Sequence, residues 1–246
     1  MEIPRPKSLR ELVSENRYNR KPVVDGLLRP GETLNIIAPP GTGKSRLALA
    51  LAVSVAAGIP WIGRRCEHGK VLVVSTDLSE RMLTERMSRE LERLRPGDRE
   101  AALANIDLLD MSRAERLSAP LERCLNLADA KGYSLIVVDS LNGLTAGEAG
   151  IERRGEALAV HDAIDEFAAE KNCAFVLVQH KAAERTADII DDLASAWTTI
   201  AADSNLVLLP ATGNDECRFC VTTRSFDDAP LQTLRRALWR MLRAKW

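Results

Sequence analysis

Aromatic side chains are scarce, 4% of the 246 residues, so a groove that stacks successive bases on rings has few residues to draw on. Neither sign of charge prevails. The 34 Lys and Arg stand against 35 Asp and Glu, a formal net charge of −1, which excludes a uniformly basic nucleic-acid coat and an acidic solvating tail. A disulfide framework is missing too, because the five cysteines are odd in number and widely scattered. Cys217 and Cys220 form one C-x-x-C with no second pair to complete a tetrahedral zinc site. Their setting, Cys217-Arg-Phe-Cys-Val-Thr-Thr-Arg224, alternates like a strand and sends the two thiols to opposite faces, so they read as structural. The N-terminal MEIPRPKSLRELV has no apolar signal region, and the longest mostly apolar run, Leu47–Ile59, is too short to span a bilayer. The expectation is a cytoplasmic chain with no membrane partner.

What is present is an ordinary core-forming composition, 46% hydrophobic, arranged as short β-rich runs alternating with longer helical patterns. Strands are expected at Thr33–Ala38, Lys70–Thr76, Ile106–Leu109, Ser134–Asp139, Ala174–Gln179, Asn205–Leu209 and Cys217–Phe226. Helices are expected at Gly43–Ala57, Ser79–Leu94, Ala119–Lys131, Ile151–Lys171, Ile190–Ala202 and Leu231–Lys245. The runs VLVVS, LIVVD and AFVLV are apolar throughout, the pattern of parallel strands covered by helices on both faces. The fold class is therefore α/β, a doubly wound, mostly parallel sheet whose last strands add an antiparallel edge. Residues 1–24 read as a polar leader, 25–229 as the main domain and 230–246 as a basic amphipathic helix.

The most informative stretch is Thr33-Leu-Asn-Ile-Ile-Ala-Pro-Pro-Gly-Thr-Gly-Lys-Ser-Arg46. A strand runs into a Pro/Gly loop that opens a helix, the context of a phosphate-binding P-loop. Residues Ala38, Pro39, Pro40, Gly41, Thr42, Gly43, Lys44, Ser45 and Arg46 are its nucleotide-binding candidates. Glycines turn backbone N–H groups toward phosphate oxygens, and the helix N-terminus adds its positive dipole. Lys44 is placed to reach the β- and γ-phosphates of ATP, and the Ser45 hydroxyl to bind Mg²⁺. The motif's first glycine is replaced by Ala38, the mildest change if that position has ordinary backbone angles. GTP is disfavoured: N-K-x-D is missing and the one D-x-x-G, Asp129 to Gly132, precedes a strand. A small-molecule kinase is disfavoured because no phosphoacceptor site or arginine-rich lid is evident.

A carboxylate on a neighbouring strand should hold the metal, and Asp139 ends the apolar run Tyr133–Asp139. Hydrolysis also needs a group to polarise the attacking water. The residue after Asp139 is Ser140, so the base comes from elsewhere. Asp77, ending the strand before Leu78-Ser79, is the candidate; the competing reading makes Asp77 or Ser79 an N-cap of the next helix. Gln179 and His180 end a third strand, with Gln179 placed to sense the γ-phosphate. His68 and His161 look incidental.

These residues resemble the RecA-fold hexameric ATPases, in particular the plasmid RepA and DnaB-like replicative helicase group, from about Val24 through Pro230. Asp25-Gly-Leu-Leu-Arg-Pro-Gly-Glu32 is similar to the family's lead-in, and Asp77-Leu78-Ser79 to its L-E-M-S segment, whose glutamate is the base. Val138-Asp-Ser-Leu141 resembles its Walker B strand, Val178-Gln179 its S-Q sensor, and Asp192–Val207, loosely, its D-L-x-x-S-x-x-I-x-x-x-A-D-x-V segment. Thr222-Thr-Arg224 falls where the family carries K-x-R. The resemblance thus implies an arginine finger at Arg224, acting on a neighbouring subunit's ATP; read from its residues alone, Arg224 is a surface strand arginine. It also implies a homo-oligomeric ring such as a hexamer, and single-stranded DNA as a partner held by loops at Asn142–Arg154 and Lys181–Asp192. Gly143, Gly147 and Gly150 suggest a mobile first loop, yet neither loop is clearly basic or aromatic. The C-terminal segment, with five basic and no acidic residues over 230–246, has three readings: packing, DNA contact or an anionic surface. Two functions follow, an oligomeric DNA helicase or translocase and a KaiC-like regulatory or assembly ATPase that unwinds nothing.

Overall fold

Aliphatic runs long enough to pair but too short to span more than one domain make up the centre of the computed structural model. It describes residues 6–14, 21–113, 119–129, 131–144, 154–180, 202–209, 216–224, 226 and 229–235. The strands are β1 (Thr33–Ala38), β2 (Val71–Ser75), β3 (Ile106–Asp110), β4 (Leu135–Asp139), β5 (Ala174–His180), β6 (Ser204–Leu209), β7 (Glu216–Thr223) and β8 (Ala229–Arg235). They form one sheet in the order β3-β2-β4-β5-β1-β6-β7-β8. The first six are parallel, and β7 and β8 are antiparallel additions. Strand β5 lies between β1 and β4, so the strand entering the glycine loop and the strand ending in Asp139 are not neighbours.

Alternate residues of each strand feed two cores. Leu34, Ile36, Val73, Val137, Val176 and Val178 pack with α2 (Lys44–Ala57), α3 (Glu80–Leu91) and α4 (Pro96–Asn105). Leu72, Val74, Ile136, Val138, Phe175 and Leu177 pack with α5 (Pro120–Asp129) and α6 (Arg154–Lys171). Helices on both faces bury β1, β2 and β4 along their whole length, which is why these strands are continuously apolar. Helix α2, lying between the sheet and α4, is buried nearly all round and lacks a polar stripe.

The structure differs from the expected pattern at two places. Helix α4 was not expected; Pro96 starts it at the first turn, and only Ala102 is buried, so it carries almost no apolar periodicity. Residues 231–235, expected to begin a C-terminal helix, belong to β8, where Gln232 pairs with Phe219 and Leu234 with Cys217. The rest of that segment, 236–246, and the expected helix over Ile190–Ala202 up to residue 201 lie outside the described residues. Within the N-terminal leader, α1 (Leu9–Ser14) is closed by a capping box in which Ser8 and Glu11 exchange backbone-to-side-chain bonds of 2.9 and 3.2 Å. The core itself begins at Val23 and Val24. Among the described residues no helix is long and apolar enough to cross a membrane.

Candidate nucleotide site

Register fixes which residues share an edge. Ala38 pairs with His180, Val178 with Asp139, and Asp139 with Ser75. The carboxyl ends of β1, β2, β4 and β5 therefore bring the glycine loop, Thr76-Asp77, Asp139 and Gln179 to one side, where ligands of open α/β sheets bind.

Ala38 is the last residue of β1, in extended backbone, so the missing glycine costs nothing there. Gly41 and Gly43 have φ of 79° and 96° and face open space where a Cβ would stand; both need glycine, and both leave a cradle in front of the loop. Gly43 is the N-cap of α2, which begins at Lys44. The Lys44 side chain is buried, its ammonium donating to the carbonyls of Ala38 at 2.8 Å and Pro39 at 2.9 Å. Desolvation pulls its pKa below the ordinary lysine value, and the nearby Asp139 carboxylate partly restores it. Thr42 Oγ1 donates to the Pro39 carbonyl at 2.7 Å, closing the loop on itself. Ser45 is half-buried in the first turn of α2. A serine hydroxyl, the buried Asp139 carboxylate and the oxygens of a polyphosphate are the hard oxygen set that Mg²⁺ takes, so loop and strand ends fit Mg·ATP.

Thr76 ties β2 to the end of β4. Its N–H donates to the Asp139 carbonyl (2.9 Å), and its hydroxyl donates to the Ser140 carbonyl (2.9 Å) while accepting the Ser140 N–H (3.0 Å). The peptide between Asp139 and Ser140 is cis. Gly143, in the short 3-10 helix Leu141–Leu144, would place a Cβ 2.3 Å from Thr76 Cβ. The glycine expected to loosen this loop instead allows a close approach; Gly147 and Gly150 lie outside the described residues. Asp77 is exposed beside Thr76, its Oδ1 3.4 Å from Thr76 Oγ1. The N-terminus of α3 is served by another carboxylate: Asp110 Oδ2, from β3, accepts the Glu80 N–H at 2.8 Å. Asp110 is held below the ordinary carboxylate range, first by the Ser112 hydroxyl and then by the N–H groups of Ser112 and Glu80. The N-cap, Ser79, makes no side-chain cap bond.

Gln179 takes an unexpected direction. It lies on the same face of β5 as Leu177, toward α6, and its amide donates to Asn35 Oδ1 at 2.9 Å and sits 3.4 Å from His161 Nε2. Asn35 in turn donates to Asn205 Oδ1 at 3.1 Å. His161, an incidental residue by sequence, is thus buried against this row, and burial lowers its pKa. Toward the other end of β1, Thr33 N donates to Asp203 Oδ2 at 2.9 Å. Asp165, one helical turn beyond His161, has a carboxyl pKa raised to about 6, first by burial and then by Asp203 and Asp162, against the Thr33 hydrogen bond and Arg224. Its pKa is higher folded than unfolded, so the folded state binds the extra proton and gains stability as pH falls from about 6 toward 4. Ionised Asp165 destabilises the neutral-pH fold by on the order of 1–2 kcal/mol after screening. Asp165→Asn should therefore raise the melting temperature at pH 7.5 by a few degrees and leave it unchanged at pH 4.5; equal shifts at both pH values would rule this charge out as the cause.

Arg224 follows β7 and is exposed, its N–H donating to the Asp203 carbonyl at 2.8 Å. Thr223 pairs with Ser204, and Ser204 with Leu34, at the start of β1. Arg224 therefore stands at the amino edge of the parallel sheet, roughly 15 Å of strand from the glycine loop. The structure brings Lys44, Asp139 and the Thr76-Asp77 corner together, and places Arg224 away from them. Sequence reasoning passed over Asn35, His161 and Asp110, and the arginines at 86 and 89 on α3 and at 93 in the turn after it; their spacing was the available signal.

This fold and this loop define a RecA-type P-loop nucleotide-binding ATPase. The family model described as an AAA domain matches residues 4–186, well over half of the chain, and the chain belongs to that family. No curated protein matches the sequence. Among solved structures, that of the RadB recombinase is similar with a TM-score of 0.56 and 17% identity, covering 84% of this chain and 88% of that one. The flagellar accessory protein FlaH from Methanocaldococcus jannaschii is similar with a TM-score of 0.54 and 14% identity, covering 84% and 86%. At these identities the likeness is one of fold.

Proposed function

We propose that the chain is a Mg²⁺-dependent ATP hydrolase that works as a ring-forming oligomer, a RepA-like DNA helicase or translocase. The observation that supports the reading is that Arg224 stands at the sheet edge opposite the glycine loop, Asp139 and Asp77. At the carboxyl edge Lys44 holds the β- and γ-phosphates, Ser45 and Asp139 hold the metal, and Asp77 orients the attacking water. At the amino edge Arg224, unable to reach its own loop, serves the nucleotide of the adjacent copy. Gln179 senses the γ-phosphate once its amide leaves Asn35 and His161.

A second reading, a regulatory or assembly ATPase, is favoured by one observation: loops 142–154 and 181–192 carry neither a basic excess nor a ring, the two things single-strand binding uses. The fold does not choose between them, since a recombinase and a flagellar accessory protein share it. ATP turnover with and without single-stranded DNA, alongside the oligomer's mass, separates them. The motor reading expects severalfold stimulation and an assembly of several copies, and Arg224→Ala should leave that assembly intact while slowing turnover by about a hundredfold or more. Turnover indifferent to DNA sinks the motor reading.

A further inference from the structure

The molecule has a second concentration of positive charge that the reading above leaves unused. Where α3 packs on α2, an open cleft of about 320 Å³ is lined by Arg46, Leu49, Arg86, Arg89, Glu90 and Arg93. Four of these residues are arginines and one carries a carboxylate. That carboxylate is committed: one oxygen of Glu90, Oε1, lies 2.9 Å from Arg93 Nη1 and 3.4 Å from Arg46 Nε. Among the described residues Arg86 and Arg89 have no carboxylate within ion-pair distance.

Such an arrangement is unfavourable for the protein alone. Arg86 and Arg89 stand three residues apart on one face of α3, where like charges repel, and Arg93 follows in the turn after it. The dipole at the C-terminal end of α3 favours cations in its last turn, which accounts for Arg89 but not for four guanidinium groups around one cleft. Nothing aromatic lines the cleft, so it is not shaped to stack a base. Planar guanidinium forks with free donors match the oxygens of a phosphate. Arg46 is the residue after Ser45, so the cleft begins beside the first turn of α2, at the end of the glycine loop.

We propose that the α2–α3 cleft is a second anion site, which binds a phosphate group through Arg86 and Arg89 with Arg46 and Arg93 at its rim. The phosphate comes either from a free polyphosphate anion or from a further phosphate on the ribose of a nucleotide held by the glycine loop. The second source rests on the P-loop reading of that loop; the first does not.

Titration calorimetry on the full chain tests it with two probes and three proteins: wild type, Lys44→Ala and Arg86→Gln/Arg89→Gln. The first probe is inorganic pyrophosphate. Binding that survives in Lys44→Ala and weakens about tenfold or more in the arginine variant assigns the cleft to a free anion. The second is ADP against ADP bearing a 3′-phosphate. A gain of about tenfold from the extra phosphate, present in wild type and lost in the arginine variant, assigns the cleft to the nucleotide. Arg86→Lys/Arg89→Lys should recover part of either effect, because charge is kept while the fork is lost. If pyrophosphate binding vanishes in Lys44→Ala and the 3′-phosphate adds nothing, the proposal is overturned. Failure of wild type to bind plain ADP would instead overturn the P-loop reading, with the pyrophosphate arm still reporting on the cleft. Both arginines are exposed on α3, and an unchanged melting curve separates loss of binding from loss of fold.

Discussion

Lys44→Ala should weaken ATP and ADP binding by about a hundredfold or more. The Lys44 ammonium is the one cation buried within the loop, and Asp139 is the carboxylate that acts on its charge. Without nucleotide it is satisfied by the carbonyls of Ala38 and Pro39. Those carbonyls are neutral, whereas phosphate oxygens are charged, and charge-assisted bonds are about twice as strong. At about 1.5–3 kcal/mol for each such bond, losing two gives the expected fall. Stability should change much less, since the substitution removes a desolvated charge together with its two bonds. Binding of a fluorescent ADP analogue and a thermal melt on the same sample check both halves. Affinity within threefold of wild type would mean that Lys44 serves the loop's own structure and not the ligand.

Asp77→Asn should reduce ATP turnover by about 10²–10⁴-fold, the usual contribution of a positioned base, while leaving nucleotide affinity within a few fold. The Glu80 N–H, at the start of α3, is bonded by Asp110. Asp77 stands at the exposed corner between Thr76 and α3, beside the strand that carries Asp139. The carboxamide keeps its size and its capacity to accept a hydrogen bond but cannot take a proton. Single-turnover hydrolysis and equilibrium binding separate the two effects. Undiminished turnover would move the base to a residue outside this edge.

The glycine loop and the central strands were legible because each rests on local chemistry. VLVVS and LIVVD are apolar at every position only where both faces are covered, and Gly41 and Gly43 occupy backbone conformations that other residues resist. What was not legible depends on partners distant in sequence. The leucines of 231–238 fit a helical period, yet pairing of residues 229–235 with β7 draws the first part into the sheet. Helix α4 escaped notice because its packing against α2 buries little beyond Ala102. Arg86 and Arg89 on α3, and Arg93 just after it, look like any solvated face until Arg46 is brought opposite them. The direction of Gln179 was readable in principle, since strand alternation puts it on the face opposite Val178. Only the positions of Asn35 and His161 show what occupies its amide.

The strand's length between Arg224 and the glycine loop also limits which symmetries a shared site permits. A twofold dimer can set finger against loop reciprocally, provided that the patch buried on both copies includes both sheet edges. Where the two edges lie in separate patches, completing each loop with a neighbour's arginine takes heterologous, head-to-tail contacts in which every copy gives with one edge and receives with the other. Such contacts close into a cycle when the rotation between neighbours divides a full turn and otherwise propagate as a helical filament. Ring and filament are thus two outcomes of one interface, separated by the angle at which Arg224 meets the next loop.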